Sequence, residues 1–453
     1  MSRLSDGRRF SRSQALAITC GLLLGASTAC AGKLRIENVT VAPRDARTAT
    51  VRFDISWSNS WHHEANHDAV WVFFKARAEG EKEWRHVRLV ANKVLNPTGY
   101  SQEKGGTRLD FIVPDSKDGF TGMFVRRADY SLMAPAKTRG VTVVWDLTTA
   151  KGIADPGKAQ IRAFGVQMVY VAEGPFYLGS GGAEANGFYR YTDGTQCTAP
   201  YRVTGPGAIP TGRQKGRLWA RSSQRLTGLP SQPEDGGEIP ASFPNGYAAF
   251  YCMRYYLTHA QYVAFVDTLT GEQAKARYNV HAAKPPPRYI SRGISWADGA
   301  TYAAWAALRP MTELELVKVI RGPCEPLQDE VRTSYWNVGD FAGWDWPAYH
   351  GGFTDRMVTV GHAKGRKFAG THGRGTPELP ADWPQEDAVG TGVHGGAGGV
   401  GGGRLAVGMP AGGQQASRHR VSDRLHATVV DPGRDPWHRW RGVRTAPKEA
   451  AER

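Results

Sequence analysis

"GISWADGATYAAWAALRPMTELELVKVIRGP", residues 293–323, packs two helix starts and two helix stops into one stretch. Ser295 can cap the first helix, because its hydroxyl accepts from the free N–H groups of a first turn. Tyr302 and Trp305 then fall on one apolar side, and Pro310, which lacks an N–H, marks where that helix stops. Thr312 with Glu315 three residues on forms a capping box, in which cap and third residue satisfy each other's backbone donors. The short helix it opens ends at Arg321-Gly322-Pro323. Upstream, Thr258 and Gln261 repeat the box. Tyr262, Phe265, Val266 and Leu269 share a face behind it, and Gly271 is expected to end that helix.

Further out, the pattern changes. "LRIENVTVAP", "TATVRFDISW", "DAVWVFFKAR", "EWRHVRLVAN", "TRLDFIVP" and "GVTVVWDL" are short, β-branched and aromatic, with turn-rich pieces between them. Ser58, Asn59, Ser60 and Asn66 are placed in one such connection. The expected fold class is α+β: a β-sandwich-like module over 32–155, a boundary at Lys151–Pro156, and a loop-rich second domain over 160–447. "KAQIRAFGVQMVYV" leads into that second domain, and no repeat of fixed period is visible.

At 453 residues, with 14 Trp, 17 Tyr and 16 Phe, the chain can bury a sizeable core. Its 55 Gly and 27 Pro predict many loops without reaching low-complexity composition. No apolar run reaches the ~18–20 residues of a membrane span. Residues 1–31 read as a secretory signal: Arg3, Arg8, Arg9 and Arg12 start it, Ala15–Ala26 is a short apolar stretch, and Ala29-Cys30-Ala31 offers small residues for cleavage. Removing its four Arg and one Asp lowers the formal charge from +15 to about +12. The expected location is periplasmic or secreted; a lipid anchor on Cys30 is disfavoured because Ser27 stands where such signals carry Leu. Export places Cys197, Cys252 and Cys324 in an oxidising compartment, where one pair could bridge. Their wide spacing suits buried small hydrophobes better than metal ligands.

The order "MVYVAEGPFYLGS" (168–180), "YAAFYCMRYYLTHAQYVAFVDTL" (247–269), the opening stretch 293–323 and "RGVRTAP" (441–447) resembles the sulfatase-modifying-factor family, which includes the formylglycine-generating enzymes. The resemblance covers roughly 165–447, and 293–323 is its most specific block. It implies a loop-rich fold related to C-type lectins and an exported protein with an added β module. In that family the segment matching Arg420, Ser422, Asp423 and Arg424 lines the substrate cleft, which makes those residues site candidates.

The chain departs from the family's pattern where chemistry would sit. Active members hold copper(I) on a Cys pair near the C-terminus, and soft thiolates suit that ion. Here no Cys follows Cys324, and Met409 is the one sulfur in 401–424, so copper is not expected. The family's Gly-Asn-Val-Trp-Glu-Trp run, part of which contributes to calcium binding, has two rival matches. One is Gly351–Arg356 with Asp355; the other is Gly343–Trp346 with Trp344 and Asp345. An oxygen-ligated calcium would have to come from these, and all three residues are kept as cleft candidates.

His63-Glu64-Ala65-Asn66-His67 matches H-E-x-x-H, whose two His share one helix face around zinc. Strand-like runs flank it too closely for a long helix, so a polar connection is expected. Gly390–Gly413 contains no phosphate-loop motif and reads as an irregular loop. Arg418, His419, Arg420, Arg424, Arg434, Arg439, Arg441 and Arg444 crowd the C-terminal part with Trp437 and Trp440 between them. Arg forks match carboxylates and sulfates. They also pair internally, with Asp423, Asp431 and Asp435 as local partners.

Two functions stay open. One is a binding module for a peptide or anionic glycan, with no nucleic-acid partner. The other is a metal-dependent oxidase of the wider family. The missing Cys pair favours the first.

Overall fold

Over Ala49–Trp57 every second residue is apolar: Ala49, Val51, Phe53, Ile55 and Trp57 are buried while the residues between them are more exposed. That period of two places one face of a strand on a core. Asp68–Arg77 has no such alternation and is buried on both faces, as a strand between two layers must be. These two strands set the architecture, which is α+β and mostly sheet.

The structure is a computed structural model that describes residues 34–64, 66–114, 119–150, 152–153, 155–184, 187–192, 198–220, 237–278, 291–330, 354–355, 357–361, 363–384, 421–422, 424, 433–434 and 438–448. The proposed signal segment 1–31 and the Gly-rich stretch 390–413 lie outside them. Strands β1 (Arg35–Pro43), β2 (Thr48–His62), β3 (Asp68–Arg77), β4 (Arg85–His86), β5 (Leu109–Ile112), β6 (Met123–Arg127) and β7 (Ser131–Asp146) come from the first part of the chain. β8 (Gln160–Val171) follows, then the short strands β9 (Phe176–Leu178), β10 (Phe188–Arg190), β11 (Tyr201–Val203), β12 (Ile209–Pro210), β13 (Leu218–Ala220) and β14 (Glu238–Ile239). β15 (Phe250–Met253) precedes helices α1 (His259–Val266), α2 (Gly271–Ala276) and α3 (Trp296–Trp305). The rest is β16 (Arg309–Pro310), α4 (Glu313–Arg321), β17 (Thr354–Asp355), α5 (Ala363–Arg366), β18 (His438–Arg439) and β19 (Gly442–Thr445).

β1, β2 and β7 form a three-stranded antiparallel sheet in the order β1-β2-β7. The large sheet runs β16-β19-β15-β8-β3-β6-β5, with β4 also on β3. It draws strands from both sides of residues 151–156. β8 pairs with β3 from Asp68↔Val169 to Arg77↔Gln160, and with β15 from Phe250↔Val171 to Met253↔Met168. On one face of β3, Val70, Val72 and Phe74 join Val51, Phe53 and Ile55 of the small sheet in one core. On the other face, Trp71 and Phe73 pack with Phe124, Phe164 and Trp305 in a second core that the helices complete. Trp71 Nε1 donates to the Ala306 carbonyl at 2.8 Å, pinning the end of α3 to the sheet.

The capping boxes at Thr258, Ser295 and Thr312 are all formed. Three local expectations change. α1 stops at Val266, and Gly271 opens α2 under a further box, Thr270 with Gln273. α3 ends at Trp305, ahead of Pro310. Ala307 takes a left-handed φ of 56° there, Leu308 N–H donates to Ala303 and Ala307 N–H to Ala304, a Schellman closure without glycine. Ser58, Asn59 and Ser60 belong to β2, which reaches His62 through a register shift at Asn59 (φ 56°). Among the described residues no helix is long and apolar enough to cross a membrane.

Candidate functional site

Of the stretch 293–323, the most specific block of the family resemblance, all residues but Ala297 and Pro323 are buried. α4 exposes none of its nine residues, so each of its charges needs an internal partner. Arg309 forks onto Glu315, with Nη1 and Nη2 donating to the two carboxylate oxygens at 2.9 and 2.6 Å. Glu315 also accepts from the Thr312 N–H. Arg321 Nε donates to Glu330 at 2.7 Å, and its other nitrogens donate to the Tyr177 and Gly179 carbonyls. Lys318 Nζ donates to the Gly246 and Tyr247 carbonyls; burial lowers its proton affinity, to a pKa of about 8.

Glu313 is the link to the predicted cleft. Arg424 Nε and Nη2 donate to its two oxygens at 2.8 and 3.1 Å, the Val360 N–H donates to it, and the Arg424 guanidinium lies 3.8 Å from the Phe188 ring centre. Ser422 is buried beside Val421, whose N–H donates to the Glu330 carbonyl. β17 pairs in parallel with β18, setting Asp355 opposite Arg439, and Val358 bridges to Thr312. The structure therefore joins Arg424 directly to Glu313, with Ser422 two residues before it in the chain, and places the backbone of Asp355 against β18. Trp344, Asp345, Arg420 and Asp423 lie outside the described residues.

Among the described residues the C-terminal arginines pair with groups distant in the chain, while Asp423, Asp431 and Asp435 lie outside those residues. Asp298, the third residue of α3, receives Arg434 at 2.7 and 2.8 Å and Arg277 at 3.3 Å. Arg444 donates to the Ala307 carbonyl and lies over Trp71. Arg441 lies over Tyr256, 3.7 Å from the ring centre. Arg439, Arg441 and Arg444 are all buried, so this basic run faces inward.

The H-E-x-x-H residues form no helix. His62 ends β2, His67 immediately precedes β3, and the His63 N–H donates to the Asn66 carbonyl. His67 is buried, stacked on Tyr170 with ring centres 4.7 Å apart. Its Nε2 lies 2.9 Å from the Tyr251 hydroxyl and 3.4 Å from Arg126 Nη1. A guanidinium only donates, so Nε2 is an acceptor and the ring proton sits on Nδ1. Burial and the Arg126 charge push the proton affinity of His67 well down. Among the described residues no group of three or more His, Cys, Asp or Glu is arranged to hold a metal ion.

Two further buried polar groups went unnoticed in the sequence. Asp68 accepts from Trp57 Nε1, Ser60 Oγ and the Trp61 N–H; burial still raises its pKa to about 6. Lys75 donates to His86 Nδ1 and to the Trp305 and Gly375 carbonyls, tying β3 to the C-terminal half. The only sequence signal for either was a charge at each end of the apolar run "DAVWVFFK".

Cys252 is fully buried in β15 and Cys324 is half-buried; among the described residues neither forms a disulfide, and Cys197 lies outside them. No protein-family model matches the chain, and no curated protein matches it.

Proposed function

We propose that this is an exported protein whose second segment adopts the sulfatase-modifying-factor fold, related to C-type lectins, without that family's catalytic thiols. In this reading a β-sandwich-like N-terminal module frames a domain that binds a peptide or anionic glycan. The thiol inventory carries it. No Cys follows Cys324, and Cys252 is buried with its thiol directed at the Met253 carbonyl. A buried apolar thiol is inert, and copper(I) oxidation needs two accessible thiolates. Arg424 is neutralised by Glu313 and serves as an anchor, which leaves Arg420 as the guanidinium assigned to the ligand.

Calorimetric titration of the mature chain with a sulfated heparin hexasaccharide, beside a neutral hexasaccharide, tests the binding reading. The sulfated probe is expected to bind, and Arg420→Ala to weaken it by about ten- to a hundredfold, as the loss of one charged hydrogen bond worth ~1.5–3 kcal/mol requires. Equal affinity for both probes would overturn it. A sulfatase-derived Cys peptide incubated with the protein, copper(I) and oxygen should keep its mass; conversion to the aldehyde would favour the oxidase instead.

A further inference from the structure

The H-E-x-x-H motif leaves a buried histidine with no assigned role. We propose that His67 is an acid-sensitive latch between the N-terminal strands and the C-terminal half of the large sheet. It belongs to the connection before β3, stacks on Tyr170 of β8, and meets Tyr251 of β15, 184 residues away in sequence. Arg126 of β6 donates to the same nitrogen and is paired with Asp110 of β5 at 3.4 Å.

The geometry makes the latch one-way. Nε2 is the acceptor on which two donors converge, so a proton added there removes the Arg126 hydrogen bond and forces the Tyr251 hydroxyl to turn from donor to acceptor. It also places an imidazolium against a guanidinium in a site without solvent. The surrounding groups do not compensate. His62 of β2 is edge-on to His67 and His63 precedes it; a charge on either would repel. Tyr170 and Tyr251 are held neutral by burial. Asp110, the nearby acid, faces Arg126. Glu173 lies beyond Tyr170 and acts on that ring. The unfolded chain takes up a proton near pH 6.5 that the folded site refuses. Stability from this group is therefore complete above that pH and lost as pH falls below it.

The experiment follows the thermal midpoint of the full mature chain from pH 8 to pH 5, beside His67→Gln and His62→Gln. Glutamine can accept from Arg126 or Tyr251 and does not titrate. His86 and His372 are half-buried with lowered proton affinity and remain in every variant, so the readout is a difference between slopes. His67→Gln is expected to take up about one proton fewer on unfolding below pH 6.5. His62, buried with its Nδ1 donating to the Arg127 carbonyl, has its proton affinity lowered less than His67, so His62→Gln should change the slope less. An unchanged slope in His67→Gln overturns the latch. Should that variant fail to fold, imidazole nitrogen NMR of the wild type decides. A neutral His67 at pH 5.5 with Nε2 unprotonated supports the proposal; a doubly protonated His67 in the intact fold sinks it.

Discussion

Glu313 ties α4 to two distant parts of the second segment. It accepts both donors of the Arg424 fork and the Val360 N–H, so one carboxylate fixes α4, Val360 and Arg424 together. Removing one member of a buried ion pair leaves the other charged and unmatched, at about 3–5 kcal/mol. Glu313→Ala should lower stability by that amount in urea unfolding. Glu313→Leu with Arg424→Met should recover much of the loss, because the buried charge goes with its partner. A double variant as weak as the single would show that the fork is not the source. None of this pairing was legible in the sequence. The two residues are 111 apart, and nothing local marks a glutamate in the first turn of a helix as anything but a favourable charge at the dipole. Arg434 pairs with Asp298, 136 residues away, in the same manner: proximity along the chain says little about proximity across a loop-rich fold.

Helix ends tell the opposite story, because their signals are complete within three or four residues. The boxes at Thr258, Ser295 and Thr312 could be read directly, and Gly322 takes the φ of 67° that its place after α4 demands. The end of α3 was misplaced because alanine gives no sign of left-handed backbone. Ala307 holds that conformation under the Trp71 and Arg444 bonds to the carbonyls of 306 and 307. An L-residue there costs roughly 1–2 kcal/mol that glycine does not, offset in part by glycine's greater unfolded freedom. Ala307→Gly should therefore raise stability by about 0.5–1 kcal/mol, measurable as a rise in the thermal midpoint; a fall would mean that the methyl group's packing outweighs the backbone strain. β6 was missed for another reason. "MFVRR" carries two arginines and reads as a loop until Arg126 is seen facing Asp110 and His67.

At the scale of the molecule, β8 joins what composition had separated. It lies between β3 and β15, so neither flank of the expected 151–156 boundary has a finished sheet by itself. A fragment of residues 32–155 leaves the buried strand β3 with one edge open where β8 belonged, and it should show no cooperative thermal transition and a poorly dispersed amide spectrum. A sharp transition in that fragment would mean that the first core closes without β8. The same strand order governs assembly during synthesis. β19, residues 442–445, lies between β15 and β16, both of which leave the ribosome more than 130 residues earlier. The slot between them stays open until residues 442–445 have emerged. A product terminated before residue 442 would expose two facing strand edges, each with free N–H and C=O groups, and such edges recruit strands from neighbouring chains. Termination ahead of β19 thus makes an aggregation-prone chain rather than a merely shortened one.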